Sequence, residues 1–161
     1  MLMVAIAATV ALSATAVFAA VTFDPATGKG FVGKGDVQTA LGLNNAQLQA
    51  QASSLQFTAV SKSTTDWTCS KPHQSGDPDK EITNERTTET TTQGIVSKVD
   101  RVKNQINGFF LDGYTGTPTV TTDGPAVNTC PAAASGFTFD EGSSQTTPGS
   151  TQLYVNGVLL Q

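Results

Sequence analysis

The chain has 161 residues, room for one domain with a modest core and too few for two ordinary ones. Charged side chains make up 14% of it, below the ~25% of typical soluble domains, so its polarity comes from Thr, Ser, Asn and Gly instead. A net charge of −4 with no basic patch argues against a nucleic-acid partner and against attraction to an anionic membrane surface.

The chain opens with "MLMVAIAATVALSATAVFAA", an alanine-rich apolar run without a single charged side chain. It reads as the core of a secretory signal peptide ending in small residues. Cleavage after Ala19 puts Val17 and Ala19 at the two small-residue positions, and cleavage after Ala16 is the other option. No Lys or Arg precedes the run, as expected if the true start lies upstream and carries a basic segment. The alternative is an uncleaved membrane anchor, although so much Ala and Thr makes a weak span. On this reading residues 1–19 are a leader. Residues 20–54 form a glycine-rich entry with short helices, and they join a β-rich domain over 55–161 in one globular unit.

The entry contains "GKGFVGKG", in which Gly28, Gly30 and Gly33 match G-x-G-x-x-G, while Gly28, Gly33 and Lys34 match most of a phosphate-binding loop. A dinucleotide loop needs a buried strand before it, a helix after it and a β-α-β unit around it. Here the preceding residues are broken by Pro25, and no β-α-β alternation follows. Gly35 also stands where a phosphate loop needs a hydroxyl for its metal. The glycines are therefore read as freedom to turn and to approach another backbone closely, with no nucleotide or other cofactor expected.

Asp36 is placed to cap a helix over Val37–Leu41 that Gly42 stops, and Asn44 or Asn45 to cap a second over Ala46–Ala52. "LQFTAV" and "TDWTCSK" alternate as strands, which puts Trp67 and Cys69 on one inner face. After a polar loop, "EITNERTTETTTQG" reads as a long strand that is wet on both faces or lies at a sheet edge. Ile95, Val99, Val102 and Ile106 fall at helical spacing, yet all are β-branched and Asn107-Gly108 follows. Helix and strand both remain open there. The strand reading puts a turn near Lys103-Asn104 and a return through Phe109-Phe110-Leu111. "TPTVTT" and "FTFDEG" are further strands, and Asn156-Gly157 in "QLYVNGVLLQ" is a strong hairpin signal. The fold expected is mainly β, an antiparallel sandwich-like domain preceded by two short helices.

Cys69 and Cys130 are the only cysteines, and in an oxidising compartment the simplest reading is one disulfide, with two buried thiols as the alternative. His73, the only histidine, excludes any site that needs two imidazoles. A Ser-His-Asp arrangement through it would use Asp66, Asp77 or Asp79, but no serine lies in a nucleophile elbow. Asp77, Asp79 and Glu81 alternate after a glycine and could offer oxygens to a calcium ion, with a polar turn as the plainer reading. Asp140-Glu141 makes a second acidic turn, and a joint site would require the two turns to meet. The threonines of "RTTETTT" could present a regular array of hydroxyls of the kind that binds ice or polymers; an ordinary wet strand is the plainer reading.

"TGKGFVGKGDVQTALGLNNAQLQ", Trp67-Thr68-Cys69, "NQINGFFLDGY" and "LYVNGVLL" together resemble an uncharacterised family of exported bacterial two-cysteine β-rich proteins. The resemblance implies secretion and a braced β-domain, and it carries over no catalytic or binding residue. The expected function is that of an exported, non-enzymatic binding or surface module. Its partner is extracellular and unidentified, or a second copy paired through the strand at Thr87–Thr92. A small secreted hydrolase using carboxylates or His73, and an inhibitor or toxin-like module using the loop Lys71–Lys80, are the alternatives.

Overall fold

The computed structural model describes residues 21–72, 80–131 and 135–160. A short strand β1 (Thr22–Asp24) turns back as β2 (Lys29–Gly33), which runs straight into helix α1 (Lys34–Leu41). Helix α2 (Asn45–Gln51) and one 3₁₀ turn (Ala52–Ser54) follow. The remaining elements are β3 (Phe57–Lys71), β4 (Lys80–Val102), β5 (Gln105–Asp123), β6 (Thr138–Phe139), β7 (Gln145–Val155) and β8 (Val158–Leu159). Every pairing is antiparallel, in the order β1-β2-β5-β4-β3-β7-β8, with β6 beside β3. The mainly β, antiparallel fold led by two short helices is as predicted. Hydrogen bonds join all the described strands into one curled sheet.

Local chemistry explains both helices. Because β2 stays extended up to Gly33, that residue already has the backbone of an N-cap, and α1 starts three residues before the position expected from Asp36. Asp36 thus lies in the first turn rather than at the cap, where its charge complements the helix dipole. Gly42 closes α1 at φ 65°, the left-handed geometry that glycine adopts without penalty. Asn44 begins α2 with a capping box: its side chain accepts from the Gln47 N–H, and Gln47 Oε1 accepts from the Asn44 N–H, both at 2.9 Å.

The helical segment contributes Val37, Leu48, Ala52 and Leu55 to a core shared with Val32, Phe57, Ile106, Phe109, Leu111, Leu153 and Val155. Phe57 and Phe109 meet with ring centroids 5.6 Å apart. This core lies under one face of one end of the sheet. The ambiguous stretch before it is strand. Lys103 and Asn104, at φ 49° and 63°, make the two-residue turn that joins β4 to β5. The helical spacing does not mark one buried face, and β-bulges decide instead which residues turn inward. Register shifts between Val96 and Lys98 let Val96 and Val99, three apart, both pack on the core, while Ile95 and Val102 are exposed. The second predicted hairpin is also present: Asn156 and Gly157, at φ 46° and 79°, join β7 to β8. Asn156 is pinned further by exchanging hydrogen bonds with the Gln56 backbone, 2.8 Å each.

One expectation is overturned. The threonine strand is central, since β4 pairs with β3 from Lys80 to Gln93 and with β5 from Thr87 to Val102. Thr87–Thr91 therefore has both ladders occupied and Thr92 lies in a bulge between β4 and β5, so the segment cannot accept another strand. It looked like an edge because its side chains are wet on both faces, a property of what covers the sheet rather than of strand order. Among the described residues, the one-sided segments include Lys80–Arg86 and Gly94–Val102 of β4, Thr115–Asp123 of β5 and Gln145–Thr151 of β7. The last two each carry a proline, Pro118 and Pro148, which cannot donate to an added strand.

Candidate functional site

The glycine stretch is a turn and a strand. Gly28 closes the β1–β2 turn at φ 72°, and Gly30 passes so close to Thr22 that an added Cβ would lie 2.1 Å from its carbonyl oxygen. Asp24 organises the same turn, accepting from the Ala26 N–H at 3.0 Å and from Thr27 Oγ1 at 2.6 Å. The Thr27 hydroxyl, chiefly, holds the Asp24 carboxyl below its ordinary pKa. Tyr114 donates to the Pro25 carbonyl at 2.7 Å, and partial burial with the nearby Asp24 charge raises its pKa.

At the opposite end, Cys69 and Cys130 form the expected disulfide, Cα to Cα 6.0 Å, closing a separation of 61 residues. The bond ties β3 to the segment after β5 and roofs a small second core. Trp67 and Cys69 are buried on one face of β3, and Asn84, directly across on β4, is buried beside them. Trp67 Nε1 donates to the Thr129 carbonyl at 2.8 Å, and Asn84 Nδ2 donates to Cys69 Sγ at 3.4 Å. Sequence alternation found Trp67 and Cys69, but nothing in it pointed to Asn84 or Thr129.

The acidic candidates fall less neatly. His73, Asp77 and Asp79 lie outside the described residues. Glu81 is exposed at the start of β4, opposite Ser70, and Asp140 accepts a hydrogen bond from the Ser70 hydroxyl. Glu81 and the second acidic turn therefore flank one serine from opposite sides. Among the described residues, no group of three or more His, Cys, Asp or Glu is arranged to hold a metal ion.

Between the helix-covered core and the disulfide nook, the two faces of the sheet differ in chemistry. Strand register assigns the faces, because directly paired residues share one. On the face continuous with Phe57 and Trp67, three rows run across β7, β3, β4 and β5. The first is Thr146, Thr65 and Arg86; the second is Pro148, Ser63, Thr88 and Thr122; the third is Thr151, Ser61, Thr90 and Val120. No carboxylate occurs in these rows. Their one charge, Arg86, is engaged within the protein: its guanidinium donates to the Pro125 carbonyl at 3.1 Å and to Thr122 Oγ1 at 2.8 Å. Thr65 and Thr146 hydroxyls hydrogen-bond across strands at 2.9 Å. The reverse face of the same strands carries Lys62, Asp66, Glu85, Glu89 and Asp123, with Lys62 and Glu89 paired at 3.2 Å in solvent. The result is a strip of hydroxyls with Arg86 at one corner, capped by helices at one end and by the disulfide-tied segment at the other, with the carboxylates turned away from it. Sequence raised a threonine array, but alternation alone sends Thr87 and Thr91 to the charged face and only Thr88, Thr90 and Thr92 to the strip.

Compared with protein families, curated proteins and solved structures, the chain finds no match. The functional reading therefore rests on geometry.

Proposed function

We propose that the protein is an exported, non-enzymatic binding module whose hydroxyl-lined strip is its docking surface. The observation that carries this is the segregation of charge: the strip's hydroxyls are uncharged on a sheet whose other face holds four carboxylates and one ammonium. Such a strip supplies many weak hydrogen bonds from neutral hydroxyls, which suits adhesion. The Cys69–Cys130 disulfide fits an oxidising compartment, and the uncharged leader supplies a route to one. Cleavage of the leader leaves a secreted or periplasmic mature chain.

The test has two arms. Fractionation of the native protein with thiol labelling is expected to find it outside the cytosol with both cysteines blocked. A broad hydrolase panel run on the wild type and on His73→Ala, Asp77→Ala and Asp140→Ala is expected to stay blank. Turnover that one substitution abolishes would make the protein an enzyme and overturn the reading.

A further inference from the structure

We infer that the strip binds a linear, uncharged polysaccharide; this rests on the docking reading above and names its partner. Three observations select that chemistry. The first is charge. A polyanion would meet only one cation across the three rows, Arg86, whose guanidinium is held against the Pro125 carbonyl and Thr122 Oγ1, and a polycation would be drawn instead to the carboxylates of the reverse face. The second is the hydrogen-bonding character of the lining. Each Ser or Thr hydroxyl both donates and accepts, so its best complement is a ligand rich in the same group. Ser61, Ser63, Thr65, Thr88 and Thr90 are half-buried and so partly fixed in orientation, while the Thr methyls, Val120 and Pro148 supply the apolar contact that sugar C–H groups need.

The third is shape. Hydroxyls on one face repeat every ~6.7 Å along a strand and every ~4.8 Å between strands. A flat lattice would need a flat sheet, whereas this one is curled, so a flexible chain can follow it and a crystal plane cannot. Each end of the strip is closed, by the helix-covered core and by the Trp67 nook, which sets a short footprint of a few sugar units.

Affinity electrophoresis of the full chain in gels containing hydroxyethyl cellulose, mannan, xylan or dextran tests the inference, with alginate and heparin as charged comparisons. At least one neutral polymer is expected to retard the protein, equally at low salt and at half-molar NaCl. The double variant Thr88→Val with Thr90→Val keeps β-branched shape and is expected to weaken binding at least ~10-fold, through loss of two hydroxyls. Thr87→Val with Thr91→Val, on the reverse face, is expected to bind as wild type. Val120→Glu, at a position 56% exposed and so tolerated by the fold, brings a charge to the strip and is expected to weaken binding as well. The inference is overturned if no neutral polymer retards the protein, if salt abolishes retardation, or if the reverse-face pair loses binding and the strip variants do not. It is also overturned if sedimentation shows a dimer that the strip variants dissociate, which would make the partner a second copy. Absence of polymer binding together with a blank hydrolase panel would sink this inference alone and leave the docking module standing.

Discussion

The two ends of the sheet are held by different means. At the helix-covered end, β2, β5, β4, β3 and β7 bury large apolar side chains such as Phe57, Phe109 and Leu153 against α1, α2 and the 3₁₀ turn. At the other end the same long strands have little to bury. Their rows are Thr and Ser, and order depends on continuous backbone ladders, one buried tryptophan and a covalent bond. The difference teaches why a hydroxyl surface can exist here. A strip with no apolar core beneath it cannot fold alone, so it is strung between two anchors that can. The cysteine bridge does for the far anchor what hydrophobic volume does for the near one.

If that division is right, damage to each anchor should spread differently. Phe109→Ala empties the near core at a fully buried site and is expected to cost about 3–5 kcal/mol in urea unfolding, with both ends lost together. Reduction of the disulfide, or Cys69→Ser with Cys130→Ser, removes about 2–4 kcal/mol. Its signature in amide exchange should be local: protection falls around Trp67 and Asn84 while Val37, Leu48 and Phe57 keep theirs. Equal loss at both ends after reduction would show one cooperative unit and break the comparison.

What could be read beforehand tracks the range of the interaction that decides each feature. The Lys103-Asn104 and Asn156-Gly157 turns and the Asn44 cap are settled within four residues; sequence placed the Asn156-Gly157 turn outright, named Asn44 or Asn45 as the cap, and reached the Lys103-Asn104 turn only on the strand reading of an ambiguous stretch. The disulfide followed from counting cysteines. Strand order did not follow, because whether β4 is central depends on β5 continuing for nineteen residues past its turn, which polar Thr-Pro-Thr text does not announce. Gln145 to Thr151 was missed as strand for a related reason. Pro148 and Gly149 look like a break, but Pro148 pairs with Ser63 and Gly149 begins a bulge, on a strand that pairs on one side only. The strip itself is a product of register between four strands, so its composition was visible and its assembly was not.

Smaller substitutions sharpen the same contrast. Asn44→Ala deletes one half of the capping box and should cost about 1 kcal/mol, read by denaturant midpoint and confined to the near end. Arg86→Met removes the guanidinium that joins β4 to Thr122 and Pro125 while keeping the stem. A loss of about 1 kcal/mol is expected, together with faster exchange near Thr129 and none at α1.

The smallest effect expected is that of acid. Asp24 and Asp100 both have carboxyl pKa values below the ordinary one, Asp24 chiefly through the Thr27 hydroxyl and Asp100 chiefly through the Asn107 amide at 2.9 Å. A group whose folded pKa is depressed adds stability that is complete above its unfolded value, near pH ~4, and disappears as pH falls through the folded value. Asp24 is exposed and Asp100 half-buried, and both belong to the helix-covered half, one in the β1–β2 turn and one beside the β4–β5 turn. Titration from pH 5 downward should therefore loosen those two turns first, and Asp24→Asn should remove the part of the slope seen at Ala26 and Thr27. The hydroxyl strip has no carboxylate to protonate, so its exchange rates, corrected for intrinsic pH dependence, should hold through the same window. A strip that opened before the turns would mean that the carboxylates of its reverse face, rather than its two anchors, keep those strands in register.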